Sequence, residues 1–281
     1  YWKIEADFWK NNLPPFKAVL EKIEGKKIEI PDEKSAIAIV ENIQNTEAIL
    51  SEIKRSNRNV EPLPPFITST LQQEASKLLG FPAQKTMSIA QVLYEGIDLG
   101  GESTGLITYM RTDSTRIAEE AISKVQNLIK ERFGADLVNP KVRVFKNKQS
   151  AQDAHEAIRP TDPFRTPESV AQYLTKEQLK LYTLIWQRFI ASQMIPVKLL
   201  STSVKINAGK AEFVSSGAQI VEEGFLKAYP HINIPLGEKI HSDYTKDDVL
   251  EHSPLEKTQH FTTPPARYTE ASLIKELEAK G

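Results

Sequence analysis

The chain has 281 residues, of which 40% are hydrophobic, and carries a formal net charge of −1 with no cysteine. That length and apolar content suffice for a buried core and for two domains, while the lack of cysteine excludes disulfides, thiol chemistry and cysteine-ligated zinc and fits a reducing cytoplasm. No apolar run reaches membrane-spanning length, so no membrane partner is expected, and the near-neutral charge means that any contact with phosphates must come from a local cluster of cations.

In chain order, residues 1–60 read mainly as strand: Phe16, Ala18 and Leu20 alternate, and Gly25 marks a hairpin turn. One helix is expected over residues 34–43, with Ile37, Val40 and Ile43 facing inward. The polar, proline-bearing link Ser56-Asn57-Arg58-Asn59-Val60-Glu61-Pro62-Leu63-Pro64-Pro65 reads as a boundary. A helix follows, capped by Ser69 with Gln72, striped by Leu71, Ala75, Leu78 and Leu79 and ended at Gly80. A second helix covers about residues 87–95, and residues 95–102 form an approach loop whose acids would repel phosphates. Residues 106–109 read as a short buried strand, and helical spacing begins at Ile117. A long helix from Lys176 to about Met194, capped by Thr175 with Gln178, stops before Pro196. Strands return over 199–260, with Val204, Ile206 and Phe213 inward and a turn at Asn207-Ala208-Gly209-Lys210; Asp247-Asp248 reads as another turn. The final helical pattern is Leu273, Ile274 and Leu277, and because Tyr1 is not an initiator methionine the chain reads as a piece of a longer protein.

The fold class expected is therefore mixed α and β: a strand-rich domain of residues 1–62 and 199–260, interrupted by an inserted, mainly helical domain of residues 63–198 that carries the candidate tyrosine. Residues 261–281 would begin a further helical domain. Two connections at one place would make a hinge.

The most informative segment is Gly105-Leu106-Ile107-Thr108-Tyr109-Met110-Arg111-Thr112-Asp113-Ser114. In an extended backbone Tyr109 and Arg111 share one face and Thr108 and Met110 the other. With a helix starting just beyond, capped by Asp113, Ser114 or Thr115, the pair would sit where a phosphate is favoured. A free phenol has a pKa of about 10, so only roughly one in a thousand is ionised near neutral pH, and a tyrosine nucleophile needs positive charge or a base nearby. Arg111 supplies permanent charge and a planar fork matched to phosphoryl oxygens. The bland alternative is a core tyrosine with its hydroxyl tied off and an arginine in a surface ion pair.

A second constellation is Ser150-Ala151-Gln152-Asp153-Ala154-His155-Glu156-Ala157-Ile158-Arg159-Pro160-Thr161. A short helix capped by Ser150 would place His155 and Arg159 four residues apart on one face, where both could meet a phosphate or the phenol, or else form a plain helix-surface pair with Glu156.

The first segment resembles the active-site signature of type IA DNA topoisomerases, and methionine at position 110 resembles their bacterial topoisomerase I branch. The likeness extends through Pro65-Phe66-Ile67-Thr68-Ser69-Thr70-Leu71-Gln72-Gln73, Gln91-Val92-Leu93-Tyr94-Glu95-Gly96, the His155 segment, and His260-Phe261-Thr262-Thr263-Pro264-Pro265-Ala266-Arg267-Tyr268. It implies that the strand-rich domain is an arch that swings the tyrosine-bearing domain. It implies that Tyr109 attacks single-stranded DNA and leaves a 5′-phosphotyrosyl link, so that the parent enzyme relaxes negative supercoils. Arg111 and His155 would then act in catalysis. Arg159 would contact DNA; Thr108 would contact the scissile phosphate or hold strand register; Gln73, Gln91 and Arg267 are weaker candidates for backbone contact. Family members hold magnesium on a Toprim domain with an Asp-x-Asp-x-Glu cluster. No such cluster occurs here, so no metal is expected in this piece, and its partners would be single-stranded DNA and the Toprim and remaining domains of the same parent chain. The alternatives are a non-catalytic module that clamps DNA or protein, and a fragment of a topoisomerase III or reverse gyrase.

Overall fold

The computed structural model describes residues 1–145 and 155–280. The first half of the chain gives β1 (Trp2–Trp9), β2 (Phe16–Ile23), β3 (Lys26–Lys27), α1 (Glu33–Ile43), β4 (Ala48–Val60), α2 (Thr68–Leu79), α3 (Ala83–Glu95), β5 (Ile97–Asp98), β6 (Ser103–Thr104) and α4 (Glu119–Arg132). The second half gives α5 (Pro167–Val170), α6 (Lys176–Ser192), β7 (Val197–Ala208), β8 (Ala211–Glu222), β9 (Val249–His252), β10 (Glu256–Gln259) and α7 (Glu270–Lys280). Two compact units result: Tyr1–Asn59, Lys198–Glu222 and Asn233–Pro265 make a strand body, and the described residues of 60–197, Glu223–Ile232 and 266–280 make a helical body.

The strand body is an eight-stranded antiparallel sheet in the order β10-β1-β9-β4-β7-β8-β2-β3, and a further pairing of β1 with β2 closes six of these strands into a ring. Strict alternation drives it. Ile4, Ala6 and Phe8 of β1, Phe16, Ala18 and Leu20 of β2, Val204 and Ile206 of β7, and Phe213 of β8 all point into one core, while their sequence neighbours are more exposed. Phe8 meets Phe213 edge-on at 5.3 Å, and Phe16 meets Tyr244 at 5.0 Å. Hairpin turns fall at Gly25 and Gly209, both at positive φ (76° and 58°), which glycine adopts without cost.

Two expectations change here and one holds. The inward stripe of α1 is Ala36, Val40 and Ile43, at four- and three-residue steps, and Ile37 faces outward. The boundary expected in the link falls between Asn59 and Val60, but the polar run Ser56–Asn59 does not leave the sheet; β4 continues to Val60, because residues 54–59 are exposed and their polar side chains cost nothing there. Asp247 (φ 70°) and Asp248 do form a turn, with the Asp248 carboxylate accepting from the Thr245 N–H at 2.8 Å and from Lys10 Nζ at 2.5 Å.

In the helical body, α6 supplies the spine. Thr175 and Gln178 cap it reciprocally, its hydroxyl accepting the Gln178 N–H at 3.2 Å while the Gln178 amide oxygen accepts the Thr175 N–H at 2.9 Å. It buries Leu181, Ile185 and Phe189. Helix α2 starts at Thr68 and is not capped by Ser69; the Thr70 hydroxyl accepts the Ile67 N–H at 3.0 Å instead. Helix α3 starts at Ala83, four residues before the expected start, and α7 packs on α2. Among the described residues no helix is long and apolar enough to cross a membrane.

One cation is sealed inside this body. Arg188 of α6 is 4% exposed; its Nε donates to the Pro64 carbonyl at 2.6 Å, and its guanidinium lies 4.6 Å from the Phe66 ring centre. The Tyr229 hydroxyl stands 3.4 Å from its Nη1 and donates to Glu74 at 2.9 Å. Burial pulls the Arg188 pKa down from its ordinary value and pushes that of Tyr229 up, which keeps the phenol neutral. Removing the guanidinium leaves the buried Pro64 carbonyl without its donor and opens a gap between the Phe66 and Tyr229 rings. Arg188→Ala is therefore expected to cost about 2–5 kcal/mol of stability, read by chemical denaturation; a loss below about 1 kcal/mol would show that the buried cation holds nothing in place.

Candidate functional site

Tyr109 lies on a bed of three extended segments within the helical body. Phe66 bridges Ile158, and Ile107 bridges Pro160. The Ile158 N–H donates to the Phe66 carbonyl at 2.8 Å, the Thr108 N–H to the Arg159 carbonyl at 2.9 Å, and the Thr161 N–H to the Leu106 carbonyl at 3.0 Å. The Thr108 hydroxyl completes the lacing by donating to the Ala157 carbonyl at 2.6 Å and accepting the Arg159 N–H at 3.0 Å. Of the two roles open to Thr108, this geometry occupies it with strand register.

Gly105 explains how the bed meets α3. A Cβ at this position would come within 2.7 Å of the Tyr94 carbonyl oxygen, and the next residue ties to the same helix end, its N–H donating to the Leu93 carbonyl at 2.8 Å. The close approach brings the Tyr94 and Tyr109 rings edge to face at 5.3 Å.

Tyr109 is 37% exposed between Met110, which is fully buried, and the part-buried Thr108. Among the described residues nothing hydrogen-bonds its hydroxyl, so a core tyrosine with a tied-off hydroxyl does not describe it. Arg111 is exposed, and its guanidinium likewise has no partner among the described residues. The His155 ring lies 5.8 Å from the Tyr109 ring. Tyr109 and His155 are thus brought together, with Arg111 two residues along the chain.

Two local expectations are corrected. No helix begins beside Tyr109: α4 starts at Glu119 with Ala118 before it and no side-chain cap, and its first turn carries Glu119 and Glu120, so its dipole favours nothing at the phenol. Short polar side chains take the amides that a helix would need. The Ser114 N–H goes to the Thr112 hydroxyl at 3.0 Å and the Arg116 N–H to the Ser114 hydroxyl at 3.2 Å, while the Arg116 carbonyl accepts from Ala157 at 2.8 Å. Nor do His155 and Arg159 share a helical face. Residues 155–160 are non-helical, since the amides of Ala157, Ile158 and Arg159 are spent on other segments and Pro160 holds its predecessor out of the helical region. The expected cap at Ser150 lies outside the described residues.

The remaining candidates are engaged elsewhere. Arg159 Nε and Nη2 donate to Glu156 at 2.9 and 2.5 Å, and Nη1 donates to the Pro160 carbonyl at 3.0 Å. The Gln73 amide donates to Glu278 at 3.1 Å, and that of Gln91 to Glu95 at 2.5 Å. Arg267 is exposed and, among the described residues, makes no hydrogen bond or ion pair with the Tyr109 group. Sequence reasoning missed Tyr94 and Thr68, although both lie in motifs it quoted; Tyr94 ends a helix just before the glycine-bearing loop, a place from which a side chain can reach the following strand. Among the described residues no three His, Asp or Glu side chains converge to hold a metal ion.

Because both backbones at Gly105 are hydrogen-bonded, neither can yield to a methyl group. Gly105→Ala is expected to destabilise the body by about 1–3 kcal/mol and to weaken the NOEs between the Tyr94 and Tyr109 rings; unchanged melting together with intact NOEs would contradict the close-approach account.

The whole chain, residues 1–281, matches the family model described as DNA topoisomerase. It is 42% identical over 282 residues to the DNA topoisomerase 1 of Treponema pallidum and 44% identical over 296 residues to that of Xylella fastidiosa (strain Temecula1 / ATCC 700964). All of this chain is covered in both matches, but only 38% and 36% of those relatives, so it spans well under half of their length. The structure resembles that of full-length topoisomerase I from Thermotoga maritima, with a TM-score of 0.76 at 34% identity, covering 99% of this chain and 44% of that one. The exposed tyrosine with its laced bed therefore sits in a chain that belongs to the DNA topoisomerase family.

Proposed function

We propose that this chain is the nucleophile-bearing part of a type IA DNA topoisomerase that relaxes negatively supercoiled DNA, and that Tyr109 attacks a phosphodiester of single-stranded DNA. The observation that carries this reading is an exposed phenol whose hydroxyl is unengaged among the described residues, fixed to a rigid bed and flanked by Arg111 and His155. In the attack the phenolic oxygen bonds to phosphorus as the bond to the 3′ oxygen breaks. The products are a 5′-phosphotyrosyl link and a 3′-hydroxyl, with one proton passing, net, from the phenol to the leaving oxygen. Attack by that hydroxyl after strand passage reverses the step. Bond energy is kept in the link, so no nucleotide cofactor is required.

Arg111 is assigned to the charge that builds on the phosphoryl oxygens, where a permanently charged planar donor is worth most. His155 is assigned to the phenol or the phosphate beside it. Arg159 holds its own segment through Glu156 and Pro160, and a DNA contact from it requires displacing Glu156. Gln73, Gln91 and Arg267 are retained as DNA contacts on the family likeness alone, and Thr108 is assigned to holding the strand that carries Tyr109. Magnesium is assigned to Toprim carboxylates outside these residues, and no step above passes through it. The implied setting is the cytoplasm, with the Toprim and remaining domains of one longer chain as partners.

The test uses the full-length protein, magnesium and a 3′-end-labelled single-stranded oligonucleotide, resolved on denaturing gels. Wild type is expected to acquire label, whereas Tyr109→Phe acquires none and binds the oligonucleotide within about threefold of wild type. Label on the Phe variant would remove Tyr109 from the chemistry; its absence from wild type would favour a non-catalytic clamp. The slope of log affinity against log salt should also fall by about 1 in Arg111→Ala, as expected when one phosphate contact is lost. An unchanged slope would place Arg111 away from the backbone.

A further inference from the structure

Arg111 has no side-chain partner among the described residues, so its backbone sets where the guanidinium starts. That backbone is held by one residue, Thr68. Thr68, the first residue of α2, donates its Oγ1 proton to the Met110 carbonyl at 2.7 Å and accepts the Thr112 N–H on the same oxygen at 2.9 Å. Its own N–H donates to the Thr112 carbonyl at 2.9 Å. The carbonyl before Arg111 and the N–H after it are thus pinned to one atom, which restrains both backbone torsions of the residue between them. The chain bends at Met110 and Arg111, and the fully buried Met110 side chain anchors the other side of the bend.

We infer that Thr68 is a positioning residue for strand cleavage: its hydroxyl, acting as donor and acceptor at once, aims Arg111 at the phosphate that Tyr109 attacks. The inference rests on the reading of Tyr109 as the nucleophile. A hydroxyl is required because one atom must both give and take a hydrogen bond; serine can do this, and valine and alanine cannot. An error of about 1 Å in a phosphate-binding group can cost about 100-fold in rate, so the effect belongs on the chemical step rather than on DNA affinity.

Thr70 provides the control. It lies in the same helical turn, and its hydroxyl also serves a backbone N–H, that of Ile67, but it does not touch the Arg111 segment. In the full-length protein, Thr68→Val and Thr68→Ala are expected to slow single-turnover cleavage of the oligonucleotide about 10- to 100-fold, with its Kd within about threefold of wild type. Thr68→Ser should recover most of the rate, and Thr70→Val should lower the melting temperature without slowing cleavage. Wild-type cleavage by both hydroxyl-less Thr68 variants would overturn the inference. So would a serine variant as slow as they are, or an equal loss of rate in Thr70→Val, which would tie the effect to helix stability. A covalent product from Tyr109→Phe would instead overturn the nucleophile reading beneath it.

Discussion

The Thr108 hydroxyl is the interaction on which the candidate site depends most. It donates to the Ala157 carbonyl and accepts the Arg159 N–H, and so stitches the residue before Tyr109 to the segment that follows His155. Backbone pairs from Phe66 to Ile158 and from Leu106 to Thr161 continue the same lacing. With these groups satisfied and Met110 sunk into the core, the side chains left facing water from Tyr109 to Arg111 are the phenol and the guanidinium. A site built this way loses little entropy when it meets a phosphodiester, because the backbone carrying the reactive groups is already ordered.

Charge is arranged locally. The chain as a whole is balanced at −1, and several cations of the helical body are matched: Arg159 by Glu156, Lys85 by Glu177, Arg143 by Glu61. Arg188 is likewise satisfied, by a carbonyl and aromatic faces, deep in the helical body. Arg111 differs from these in standing exposed and unpaired among the described residues, next to the phenol. A phosphate arriving there meets a cation that need not first give up a carboxylate.

Much of this was legible in the sequence, and the reasons differ by element. The period-two runs of β2, β7 and β8 were readable because one face of each is buried against a single core. The reciprocal Thr175 and Gln178 cap was readable because both partners are local. The Tyr109 motif marked a candidate site through its likeness to known signatures rather than through periodicity, and the tyrosine there is exposed. What failed was local structure governed by distant partners. Residues 113–118 carry helix-capping types, but the Thr112 and Ser114 hydroxyls took the nearby amides and Ala157 claimed the Arg116 carbonyl. Residues 155–160 looked helical only while their amides were uncounted; Phe66 and Thr108, far away in sequence, use them. Thr68 and Tyr94 were passed over for the same reason, since a role made by contact between segments leaves no mark on spacing.

Two exposed tyrosines, Tyr94 and Tyr109, stand with their rings 5.3 Å apart, and which of them bonds to DNA is the point on which the whole account turns. The decisive measurement is tandem mass spectrometry of the covalent complex trapped from the full-length protein, digested so that the modified residue can be located. The account predicts a nucleotide phosphate on Tyr109 and none on Tyr94. An adduct on Tyr94, or on any residue outside this chain, would contradict it.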